Sequence, residues 1–210
     1  MIELYTIIRA GENLMYELIN AGNGLTYGVI HGSSTVVFVK PGLSGSIYGY
    51  ENKYLKIAEL LNQKYGCTVI VSPNDKKTDF SGEMDFLKEY AAQHKIENYQ
   101  VYYFGFSNGA LIGMSEAHKY SEIKRVLLVN APLCINIVKS IDGIRKFSGE
   151  KMTLLFGSND PSYDLAKMFT ELESEKVHIE ILPGIDHNFV GALDLFISLP
   201  EKYLFAQPEK

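Results

Sequence analysis

Gly105-Phe106-Ser107-Asn108-Gly109 sets one serine between two glycines. A serine hydroxyl is a poor nucleophile at neutral pH. To use one, a protein must add a base, a carboxylate to orient that base, and donors for the oxygen that becomes charged. The setting of the pentapeptide suits that chemistry. Val101-Tyr102-Tyr103-Phe104 before it reads as a buried strand, and a helix-period segment starts at Ala110. In such a sharp reversal strand and helix approach closely, so a Cβ at 105 or 109 would clash. The turn lifts the hydroxyl clear of the backbone and brings the Asn108 N–H to a helix start, where an anion is stabilised. The competing reading is an ordinary glycine-rich βα turn that contains a serine.

The base must come from five histidines: His31, His94, His118, His178 and His187. His94 and His118 fall in helical segments and read as surface residues. His178 opens a strand, and His31 precedes one. Sites in open α/β sheets lie at the carboxyl ends of the strands. His187 meets that condition, in the loop Pro183-Gly184-Ile185-Asp186-His187-Asn188 after the last strand. The orienting carboxylate is expected to be Asp160, in Gly157-Ser158-Asn159-Asp160-Pro161, again after a strand. Its plainer role would be to cap the next helix. Asp164 is the second choice. Asp186 is a poor one, because a neighbour in sequence rarely curls back to Nδ1. Of the two oxyanion donors, Asn108 N–H is one. The other is expected from Pro41-Gly42-Leu43-Ser44-Gly45-Ser46, with Leu43 N–H the choice, although a simple glycine-rich turn explains that loop nearly as well.

These residues need a frame to hold them. Val36-Val37-Phe38-Val39 has no polar residue, as a strand covered on both faces should not. Tyr54, Ile57, Ala58, Leu61 and Tyr65 keep one face of a 3.6-residue period, and Gly66 follows as a helix stop. Strands are expected at 68–71, 101–104, 126–129, 152–156 and 178–182. Helices are expected from Met84 to about His94, from Ala110 to Tyr120, around Cys134 to Ile141, over Leu165 to Leu172, and around Val190 to Ile197. Near the start, 3–8 and 14–19 flank the turn-rich Ala10-Gly11-Glu12-Asn13 and read as a hairpin. The alternation predicts an α/β fold: a mostly parallel sheet with helices on both faces and an antiparallel N-terminal edge hairpin. The length suits a single domain over residues 1–210.

Composition narrows the function classes. The net charge is -5 and the basic residues are scattered, so no nucleic-acid partner is expected. No run of about 20 apolar residues occurs, so no membrane span is expected. No signal segment is evident and there are two cysteines, which points to a cytoplasmic protein with reduced thiols. No metal-ligand spacing or dinucleotide fingerprint is present, so no metal and no cofactor is expected.

Taken together, the Gly-Phe-Ser-Asn-Gly turn, Gly157-x-x-Asp160, Gly184-x-Asp186-His187 and the chain order Ser, Asp, His resemble the α/β-hydrolase family from about Val36 onward. The resemblance implies a catalytic triad of Ser107, Asp160 and His187, with Leu43 and Asn108 at the oxyanion hole. Many relatives carry His-Gly where this chain has Pro41-Gly42. The stretch from Ala131 to Lys151 has room for about one helix, so no large lid is expected and the site should be open. The reading that follows is a serine hydrolase, carboxylesterase-like, acting on a small or medium acyl ester. A thioesterase or acyltransferase would use the same residues, and a non-catalytic ligand-binding protein could share the fold.

Overall fold

The chain keeps its apolar residues on both faces of most strands, and the sheet is correspondingly covered on both sides. The structure, a computed structural model, describes residues 3–10, 14–75 and 79–206, with side chains from Tyr16 onward. Among the described residues the strands are β1 (Glu3–Ala10), β2 (Leu14–Asn20), β3 (Thr26–Ile30), β4 (Ser33–Lys40), β5 (Cys67–Val71), β6 (Gln100–Phe106), β7 (Ile123–Val129), β8 (Lys151–Asn159) and β9 (Val177–Asp186). The helices are α1 (Lys53–Tyr65), α2 (Ser81–Gln93), α3 (Asn108–Glu116), α4 (Ile137–Lys146), α5 (Tyr163–Phe169) and α6 (Leu193–Leu204). One sheet runs in the order β1-β2-β3-β5-β4-β6-β7-β8-β9. From β5 to β9 every pair is parallel.

The strand side chains alternate between two cores. Val36, Phe38, Val101, Tyr103, Val126 and Leu128 face α2 to α5. Val37, Val39, Tyr102, Phe104, Leu127 and Val129 face α1 and α6. Both sides being apolar, each strand reads as a continuous hydrophobic run.

The edge is larger than the expected hairpin. β1 and β2 pair antiparallel, and residues 11–13 of the expected turn lie outside the described residues. A third strand, β3, was not expected; it pairs antiparallel with both β2 and β5. Smaller shifts occur at helix ends. The segment after Ser107 is α-helical only to Glu116 and finishes as a 3-10 turn, Ala117–Lys119. Cys134 and Val190 fall outside α4 and α6.

The chain visits β4, then β5 on one side, then β6 on the other. Strand order reverses there, and open α/β sheets place their ligand sites outside the strand carboxyl ends at such a point. Between β7 and β8 the only helix among the described residues is α4. No helix of the described chain is long and apolar enough to cross a membrane.

Candidate active site

Register decides which loop residues can meet. Lys40 on β4 pairs with Gly105 on β6, so the 41–46 loop emerges beside Ser107. Phe106 pairs with Val129, which brings Asn130 next to Ser107. Asn159 pairs with Asp186, which brings Asp160 next to His187. The segments that follow five strands, β4, β6, β7, β8 and β9, therefore emerge at one edge of the sheet.

Ser107 itself sits at φ 53 and ψ -118, a region that L-residues seldom occupy and that costs about 1–3 kcal/mol. Its backbone is fixed from both sides. The Ser107 N–H donates to Val129 O at 2.8 Å, and Leu111 N–H donates to Ser107 O at 3.0 Å. A Cβ on Gly109 would stand 2.1 Å from Lys40 O, and one on Gly105 would stand 2.6 Å from Gly109 O. The Tyr103 hydroxyl donates to Gly109 O at 2.7 Å and holds the start of α3 against the sheet.

The hydroxyl of Ser107 lies 3.0 Å from His187 Nε2, and His187 Nδ1 lies 2.6 Å from Asp160 Oδ2. The Asp160 side chain is 1% exposed and that of His187 is 33% exposed. A buried carboxylate fixes one face of the ring while the other stays reachable. The second Asp160 oxygen accepts the Ser162 N–H at 2.6 Å. That bond closes the turn ahead of the helix and does not cap it, since the N-cap of α5 is Ser162 and no side chain caps it. Asp164 lies away from the histidine; its carboxylate is 90% exposed and pairs with Lys167 at 2.9 Å. Asp186 folds back on its own turn and accepts N–H groups of Asn188 and Val190. The remaining histidines stand elsewhere. His31 meets the Tyr90 hydroxyl, His94 meets Tyr90 O, and His178 faces Glu173 and Glu180.

The 41–46 loop lies on the serine: a Cβ on Gly42 would stand 3.2 Å from Ser107 Cβ. Gly45 N–H closes a turn onto Gly42 O at 2.9 Å. Among the described residues the Leu43 N–H has no acceptor, and the Asn108 N–H belongs to the first turn of α3, where no intrahelical partner exists. Tyr48 is half-buried, Tyr50 is exposed, and Phe106 is buried with its ring 5.6 Å from that of His187.

Three polar residues at this edge escaped the sequence reading. Asn130, buried at φ 50, donates to Asp186 O and His187 O, both at 3.1 Å, and accepts Gly157 N–H at 2.8 Å. It ties the histidine loop to β8. Asn74 is also buried. Its amide donates to Pro41 O at 2.8 Å and to Asn108 Oδ1 at 3.0 Å, while its backbone bonds Ser44 and Gly45. Each follows a strand at its carboxyl end, which is the signal that could have found them. Lys53, at the first turn of α1, is 8% exposed and packs its Nζ over Phe106 and Phe196. Burial lowers its pKa to about 8.

No protein-family model matches the chain, and no curated protein matches it. Solved structures do. The chain is similar to Est1E from Butyrivibrio proteoclasticus, with 15% identity, a TM-score of 0.67, and 91% of this chain and 97% of that one covered. It is similar to XC6422 from Xanthomonas campestris, described as an α/β serine hydrolase without a lid, at 16% identity and a TM-score of 0.66, over 96% and 98% of the two chains. A dienelactone hydrolase from Anabaena variabilis gives 16% identity and a TM-score of 0.65, over 97% of each chain. The chain has the α/β-hydrolase fold in its lidless form.

Proposed function

We propose that the protein is a serine hydrolase that cleaves a carboxylic ester of a small or medium acyl substrate. The observation that carries this reading is the hydrogen-bonded chain from Ser107 Oγ through His187 to Asp160, 3.0 and 2.6 Å long, on a serine held at positive φ. In the reaction His187 Nε2 takes the Ser107 proton as Oγ attacks the ester carbonyl. Asp160 stabilises the imidazolium and fixes the tautomer that leaves Nε2 free to accept. The N–H groups of Leu43 and Asn108 are assigned to the oxyanion. His187 then gives its proton to the departing alcohol, and water releases the acyl group by the same steps in reverse order. The esterases and hydrolases among the similar structures support a hydrolase on this fold.

The test is intact-mass analysis after incubation with a fluorophosphonate. The expected outcome is one adduct on the parent chain and none on Ser107→Ala. A folded parent chain that takes up no adduct would overturn the reading.

A further inference from the structure

Among the described residues two lysines, Lys40 and Lys53, are buried near the carboxyl ends of β4 and β6, and they are treated differently. Lys40 is paired with Glu83 and also donates to Ser72 Oγ at 3.1 Å and Pro73 O at 2.9 Å. Lys53 has only aromatic rings. Its Nζ lies 4.1 Å from the Phe196 centroid, 4.5 Å from that of Phe106 and 5.2 Å from that of Tyr54. Among the described residues no carboxylate, carbonyl or hydroxyl accepts a hydrogen bond from it. Ring faces attract a cation but fill none of the three donors of an ammonium. A cation withdrawn from water without an anion is costly, and a ligand that supplies the anion offsets that cost.

The rings around Lys53 are those of the site. Phe106 adjoins Ser107 and packs against His187. The Tyr54 phenol lies against the Gly42 backbone, and Gly42 lies against Ser107. We propose that Lys53 is the substrate-recognition residue of this site and that the ester it serves carries an anionic substituent, a carboxylate in its simplest form, bound by the Lys53 ammonium. This rests on the serine-hydrolase reading. The carboxylate could stand on the acyl chain or on the departing alcohol, and the chemistry at Lys53 is the same.

The test uses matched fluorophosphonates on the full chain. In one pair the alkyl group on phosphorus ends in a carboxylate or in the isosteric carboxamide. In the other pair the alkoxy group does. Labelling forms the Ser107 Oγ–P bond and expels fluoride, with the serine proton passing to His187, so its rate reports substrate placement directly. In at least one pair the carboxylate probe should label about tenfold faster than its amide, as one charge-assisted hydrogen bond allows. Lys53→Met should bring that ratio near one, and Lys53→Arg should keep most of it. Which pair responds says where the anion stands. Equal rates within both pairs, or a preference that survives Lys53→Met, overturns the proposal. Labelling of Lys53→Met by the amide probes reports that its site is formed, and the ratio in the parent chain needs no variant. If none of the four probes labels the folded parent chain, the hydrolase reading itself fails, which is a different result from labelling without preference.

Discussion

At Asp160 one carboxylate serves two partners, one on each oxygen. Oδ1 accepts the Ser162 N–H ahead of α5, and Oδ2 meets His187 Nδ1. Asp160→Asn keeps an oxygen for the Ser162 N–H but removes the anion that favours the imidazolium. We expect kcat for a neutral p-nitrophenyl ester to fall by about 10³–10⁴-fold, with thermal stability nearly unchanged. Asp164→Asn should leave kcat within about twofold, because its exposed carboxylate pairs only with Lys167. Steady-state kinetics on the two variants decides the matter, and a larger loss at Asp164 would reverse the assignment. Residue types and their places after strands were enough to suggest Ser107, His187 and Asp160. They were not enough to choose between Asp160 and Asp164, because the choice depends on the pairing of Asn159 with Asp186. Asn74 and Asn130 were illegible for a similar reason. An asparagine after a strand looks like any turn residue until its partners are known, and the side-chain partners lie 33 or more residues away for Asn74 and 27 or more for Asn130.

The elbow between β6 and α3 is an element in which sequence and packing agree, and its glycines can be tested on packing alone. Gly109 has the carbonyl oxygen of Lys40 where a Cβ would go, at 2.1 Å. That oxygen is backbone on β4, a central strand, and cannot swing aside. Gly109→Ala should cost about 2–4 kcal/mol in urea unfolding, as an overpacked and rigid site does. Gly22→Ala, where no atom lies within 4 Å of the added carbon, should change stability by less than about 0.5 kcal/mol. Similar values for the two would show that the close approach is not what holds the glycine. The strands β4 to β8 were readable because both faces are largely apolar, and β9 because Val177, Ile179 and Leu182 are buried along it. β3 was missed because Gly28 interrupts its run, and because the ring of Tyr16 on β2 fills the space that a Gly28 side chain would take. The expected hairpin became a three-stranded edge for that reason. A pattern that trades side chains across strands is invisible within either strand.

Across the whole molecule the sheet separates a face covered by α2 to α5 from one covered by α1 and α6, and among the described residues each face carries one buried lysine. The sequence marks neither. Lys40 lies in a strand beside apolar neighbours, and Lys53 opens a helix whose other buried residues are apolar. Lys40 is compensated by Glu83, which only the docking of α2 on β4 brings near. Lys53 has no anionic partner among the described residues, and this has a consequence for stability that does not depend on any substrate. Burial lowers the Lys53 pKa from 10.5 to about 8, so below about pH 8 both folded and unfolded chains carry the charge and the folded chain bears the cost of withdrawing it from water. Between about 8 and 10.5 the unfolded chain holds the proton that the folded chain has lost, and stability contributed by this group rises with pH. Lys53→Met removes the group and places an apolar chain among the same three rings. The variant should therefore be more stable than the parent at neutral pH, by about 1–2 kcal/mol once partial access of water to the amine is allowed for. That advantage should shrink as pH rises through the window from about 8 to 10.5. Of the groups facing the amine, Tyr54 on α1 stays neutral in this window because burial pushes its phenol well above its ordinary range. The rings of Phe106 on β6 and Phe196 on α6 do not titrate, and His187 beyond Phe106 is common to both proteins and cancels in the comparison. Urea unfolding of both proteins at neutral pH and near pH 10 measures the two gaps. A gap that stays constant with pH, or a variant less stable than its parent at neutral pH, would mean that the ring faces alone satisfy the Lys53 charge, leaving nothing for a substrate anion to supply.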